Sequence, residues 1–157
     1  MRNWQSRARK YLTSAAVALA ALAPQLAHAI DVKVVPAGKG EEVWFVEDHT
    51  VPIVTMSASI PAGSAYDPQG KEGLSAMAAA LMDEGAGKMT SDAYHAALGN
   101  KAIQLSVSPS RDYAVIRVVT LAENAREAFQ LLGLAIARPR FDPDAIQRIR
   151  AQMIESI

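Results

Sequence analysis

The 157 residues carry 16 Lys and Arg against 16 Asp and Glu, half of the residues are hydrophobic, and there is no cysteine. The lack of cysteine excludes disulfides, thiolate metal sites and a cysteine nucleophile. The balanced charge, with no basic run beyond Lys10, speaks against binding to a phosphate backbone, which needs clustered cations.

At the N-terminus, Arg2, Arg7, Arg9 and Lys10 form a basic stretch without an acid, followed by an apolar run from Leu12 to Ala23. That run is too short to span a bilayer core of roughly 30 Å. Ala27-His28-Ala29 then supplies a small-x-small cleavage pattern. Residues 1–29 are therefore expected to be a secretory signal peptide cut after Ala29, which directs the chain to a bacterial periplasm. The mature chain, residues 30–157, keeps 12 Lys and Arg against 16 Asp and Glu and has no later segment apolar enough to span a membrane. Its length suffices for one domain with a sizeable core.

Glu41–Val46 is rich in β-formers and predicts a strand. The polar link Glu47-Asp48-His49-Thr50 leads to a second strand over Val51–Ile60, with Pro52 at its start where a missing N–H is tolerated. These two strands are expected to pair as an antiparallel hairpin. Pro61–Gly70 is a loop by its Gly and Pro content, and a Leu, Met and Ala helix is expected from Glu72 to Met82, ended by Gly85 and Gly87. Thr90-Ser91-Asp92 caps a further helix through Leu98, stopped by Gly99-Asn100.

Ile103–Val107 alternates with period two and Tyr113–Thr120 is a run of β-formers, so the turn-prone Ser108–Asp112 between them predicts a second hairpin. Ala125, Phe129, Leu132, Ala135 and Ile136 have helical spacing, and Asp142-Pro143 starts a last helix as N-cap and first-turn proline. Ile146, Ile149, Met153 and Ile157 carry its apolar stripe to the end of the sequence. A stripe with no cap or polar tail is expected to belong to a longer protein with one or more further domains after residue 157. Two hairpins interleaved with helices predict an α+β fold, a mainly antiparallel sheet with helices packed on one face.

Trp44-Phe-Val-Glu-Asp-His-Thr-Val-Pro52 and then Pro61-Ala-Gly-Ser-Ala-Tyr-Asp-Pro-Gln-Gly-Lys-Glu-Gly-Leu74 resemble the first domain of the pitrilysin/insulinase metallopeptidases. In that family an inverted zinc motif, H-x-x-E-H, follows these words. Two histidines four apart on one helix face hold Zn²⁺, and the glutamate before the second acts as base toward the zinc-bound water. The positions that match here are Ala76, Ala79 and Ala80, which stand for the first histidine, the glutamate and the second histidine. The family's third ligand, a glutamate on a later helix, falls on Ser156, with Glu155 one residue away and Arg150 matching the arginine of that pattern.

The resemblance thus implies a pseudoenzyme with no catalytic residue and no cofactor of its own. Zinc would reside in a partner subunit of the same family that bears the motif. The implied role is that of a partner or substrate-gripping subunit in a heterodimeric periplasmic peptidase acting on a peptide. The residues that would show substrate grip, an Arg-Tyr pair in a second domain, fall beyond Ile157. A periplasmic peptide- or protein-binding scaffold unrelated to proteolysis stays open, as does an active zinc peptidase with displaced ligands. Outside the matched helix the chemistry-bearing residues are sparse. His49 sits in a polar link, Asp92 and His95 lie three apart on one helix, and Asp83-Glu84 is expected at a solvent-facing helix end.

Overall fold

The computed structural model describes residues 30–38 and 40–156. The signal-peptide reading of residues 1–29 and the last member of the apolar stripe, Ile157, lie outside them. The chain divides into two units, one ending at Asp48 and the other starting at His49.

In the first unit, β1 (Val32–Gly38) and β2 (Glu41–Val46) form an antiparallel ribbon that sets Val32 opposite Val46 and Val34 opposite Trp44. Gly38 and Gly40 take φ of 90° and 83° at the reversal, a region that costs glycine nothing. Here the expected first hairpin is corrected. β2 pairs with β1, and the next strand, β3 (Ile53–Ile60), pairs with β5 (Ala114–Leu121) instead. The physical reason is local. The two-residue glycine reversal closes β1 on β2 with less loop entropy than the link from Glu47 to Pro52 would require. The Val and Trp rows add cross-strand contacts.

In the second unit, β3, β4 (Gln104–Pro109) and β5 (Ala114–Leu121) form one antiparallel sheet in the order β3-β5-β4. The β4–β5 hairpin is the one the alternation predicts. The central strand buries Ala114, Ile116, Val118 and Thr120 on one face. Met56 and Leu105 flank Val118 in register, and Ala58 and Val107 flank Ile116. The other face carries Ser57, Arg117 and Ser106 in one rung. Helix α2 (Ser91–Asn100) brings Tyr94 and Leu98 to the covered face, and α3 (Ala125–Ala137) brings Ala128, Leu131, Leu132 and Ala135. The architecture is the α+β arrangement expected, with helices over one face of an antiparallel sheet. No helix among the described residues is long and apolar enough to cross a membrane.

Local endings differ from the sequence pattern for identifiable reasons. Gly99 and Asn100 belong to the last turn of α2, and the chain leaves it through Ala102 at φ 49°, with the Ile103 N–H donating to the Leu98 carbonyl at 2.9 Å. Ala102 thus holds the left-handed position that usually goes to glycine. On α3 the buried stripe is offset from the expected one, because Phe129 and Ile136 remain 43% and 51% exposed. Spacing fixes the helical period, while the packing partner sets the phase. At α4 (Pro143–Glu155), Asp142 is the N-cap residue as expected but makes no capping bond. Its carboxylate is held instead by Arg140, whose Nε and Nη2 donate at 2.7 and 3.1 Å.

Thr120 is 2% exposed and its Oγ1 has no hydrogen-bond partner. A buried hydroxyl left unpaired costs about 1–3 kcal/mol. Thr120→Val keeps the shape and removes that cost, so it is expected to stabilise the fold by about 1 kcal/mol in urea denaturation. A destabilised variant would show that the hydroxyl is satisfied in solution.

Candidate functional site: the cleft beside the alanine helix

The chain segment that leads into helix α1 (Leu74–Ala80) is tied down at several points. Gly63 lies so close to the β4–β5 turn that a Cβ there would collide with the Ser110 carbonyl oxygen. The Ser64 and Ala65 N–H groups donate to the Ser110 and Arg111 carbonyls at 3.0 and 2.8 Å. Helix α1 starts later and ends sooner than its composition suggests. Gly73 at φ 92° provides the entry without a side chain that could cap. The cap comes from upstream: Asp67 Oδ2 accepts from the Gly73 N–H and Oδ1 from the Ser75 N–H, both at 2.8 Å. Burial pushes the Asp67 carboxyl up, but the N–H donors of Ser75 and Gly73 outweigh it and hold it below the usual carboxylate range.

Alongside α1 runs a cleft of about 300 Å³, bordered by Ala79 and Ala80 of α1, Leu105, Ser106 and Val107 of β4, and Ile149 of α4. Leu81, Met77 and Ala80 pack on Ala145, Ile149 and Met153, so the apolar stripe of α4 is spent partly against α1. Of the positions singled out in the sequence, Ala79 and Ala80 reach this cleft. Ala76 is half-buried on the same helix but does not border it. Ser156 lies at the end of α4, where its Oγ donates to the Met153 carbonyl at 2.7 Å, away from the cleft lining. Zinc is held by imidazole, thiolate or carboxylate, and Leu74–Ala80 contains none of these. The residues present do not fit a zinc ion on this helix.

Asp83 and Glu84 also line the cleft. Glu84 is 5% exposed, so the expectation that this pair faces solvent is corrected for it. Its carboxylate accepts from both terminal nitrogens of Arg148 on α4, Nη1 at 2.9 Å and Nη2 at 2.5 Å, and from Ser91 Oγ of α2 at 2.5 Å. The Arg148 bonds lower the Glu84 pKa, burial works against them, and Ser91 adds to the lowering. One buried carboxylate thereby fastens α4 and α2 to the loop behind α1. His95 lies with its Nε2 3.7 Å from Asp83 Oδ2. Asp83, Glu84 and His95 place ligand atoms within 4.8 Å of one another. Two of the three hydrogen bonds that Glu84 accepts come from the Arg148 guanidinium, whose charge opposes a second cation, so the trio is described as part of the clamp.

Residues 42–157 match the family model described as insulinase, peptidase family M16. Over 115 residues the chain is 24% identical to "Non-peptidase homolog YmxG" of Helicobacter pylori, a stretch that covers 73% of this chain and 27% of that protein. Among solved structures it is similar to a peptidase M16 inactive domain from Pseudomonas fluorescens, with TM-score 0.74 and 22% identity, covering 81% of this chain and 31% of the other. It is also similar to a protease from Helicobacter pylori, with TM-score 0.69 and 16% identity, covering 82% and 31%. The chain spans about a quarter to a third of the length of these relatives. It belongs to the insulinase family, peptidase family M16. Its α1, Leu74–Ala80, carries no imidazole, thiolate or carboxylate.

Proposed function

We propose that this chain is the zinc-free subunit of a periplasmic peptidase pair, exported behind a signal peptide cut after Ala29. A zinc-bearing subunit of the same family performs hydrolysis, while this one binds the peptide and needs no cofactor of its own. The observation that carries the proposal is α1 itself. Ala76, Ala79 and Ala80 stand where the resemblance puts two imidazoles and a carboxylate, in a helix that Asp67 caps and that packs against α4. The cleft supports a binding role. Among the described residues β4 pairs with β5 alone, so its other edge offers backbone donors and acceptors beside the cleft. Extended peptides add to such edges as a further strand.

The test is capture of the tagged full-length protein from an envelope fraction, followed by reconstitution. The expected result is co-purification of a family member with an intact H-x-x-E-H, peptide cleavage by the pair, and none by either this subunit alone or the zinc-stripped pair. Recovery of unrelated envelope proteins only would contradict the proposal and favour a scaffold that has left proteolysis.

A further inference from the structure

At about 300 Å³ the cleft lies at the low end of ligand pockets, which run from roughly 300 to 1,000 Å³, and suits a single side chain. Apolar side chains, among them Leu105, Val107 and Ile149, share its walls with Ser106, and Asp83 and Glu84 are the two charged residues that line it. They are not equivalent. Glu84 already accepts two hydrogen bonds from Arg148 and one from Ser91. Asp83 has a single ion-pair contact among the described residues, to the exposed His95 at 3.7 Å, which is beyond hydrogen-bond distance. The cleft therefore sets apolar side chains, Leu105, Val107 and Ile149, together with one carboxylate that has acceptor capacity to spare.

That arrangement matches one kind of side chain. Lysine and arginine lay their methylene stems on apolar surface while the charged head stays near water. We infer that the cleft is a subsite for a lysine or arginine of a bound peptide, its stem along Leu105, Val107 and Ile149 and its head at Asp83. This inference rests on the peptide-binding role proposed above. A glutamate at the same place would meet Asp83 as a like charge, and an aliphatic chain would gain the walls without the counter-ion. Because Asp83 is partly exposed, the pair is worth about five-fold in affinity, the upper end for ion pairs open to solvent.

The test uses the full-length protein and three fluorescein-labelled nonapeptides of Ser, Ala and Val, identical but for a central lysine, norleucine or glutamate. Fluorescence anisotropy is expected to rank lysine about five-fold tighter than norleucine, with glutamate weakest. Asp83→Asn should bring the lysine and norleucine affinities together. Glu155→Gln, which removes an exposed carboxylate outside the cleft, should leave the preference intact. Equal binding of lysine and norleucine peptides, or a preference that survives Asp83→Asn, would overturn the inference while leaving the partner proposal standing. Failure of all three peptides to bind would overturn both the subsite and the peptide-gripping role.

Discussion

Tyr94→Ala is expected to cost about 4 kcal/mol of folding stability, within the range for removing a large aromatic from a core. Tyr94 is 0% exposed and is one of the largest fully buried side chains. It stands between the sheet and α3, with Ala128, Leu131, Leu132 and Val118 in the same cluster. Its hydroxyl donates to the Leu131 carbonyl at 2.9 Å, which links α2 to α3. Tyr94→Phe keeps the ring and loses only that bond, so its cost should be about 1 kcal/mol. Burial, with Asp83 adding to it, pushes the Tyr94 hydroxyl from 10.0 up to about 12. A group raised in the folded state contributes stability that is complete below its unfolded value and is lost as pH climbs through the folded one. The native protein should therefore lose stability between pH 10 and about 12 more steeply than Tyr94→Phe. Urea denaturation across that window checks both the size and the sign, and equal slopes would refute the linkage.

The second large effect concerns the Glu84 clamp. Glu84→Ala is expected to cost about 2–3 kcal/mol, the worth of hydrogen bonds to a charged group in a buried setting. Arg148→Ala should cost more, although it removes the more exposed partner, because it leaves a 5%-exposed carboxylate with Ser91 alone. In Glu84→Ala the freed guanidinium, whose side chain is 47% exposed, can return to water. The acid dependence follows from the lowered Glu84 pKa. Its contribution is complete above the ordinary carboxylate value of 4.5 and is lost as pH falls through the folded value below it. Glu84→Gln should flatten that acid limb. A reversed order of the two alanine variants would mean that Glu84 is solvated in solution.

How much of this was legible in the sequence depends on how far apart the partners are. The β4–β5 hairpin reads directly, since its first strand alternates, its second is a run of β-formers and its turn is short. Helices α3 and α4 read from their period and from Asp142-Pro143. The pairing of β2 with β1 did not read, because Val32–Pro36 is a short run broken by proline and easily passed over beside the stronger Val51–Ile60. The cap of α1 was hidden because Asp67 reaches it from six and eight residues upstream, not from the N-cap position. Glu84 was hidden for a stronger reason, since its partner Arg148 is 64 residues away and no local pattern marks the pair. The site positions themselves read only by resemblance, because an alanine carries no chemical signal of what it stands for. What the fold adds is that Ala79 and Ala80 border a cleft.

The measurement that bears most directly on the account is the zinc content and peptidase activity of the purified full-length protein, loaded with zinc and then freed of excess by gel filtration. With methyl groups at residues 76, 79 and 80, only sub-stoichiometric zinc and no hydrolysis above buffer are predicted. One zinc per chain, removed by chelator together with peptide cleavage, would contradict it.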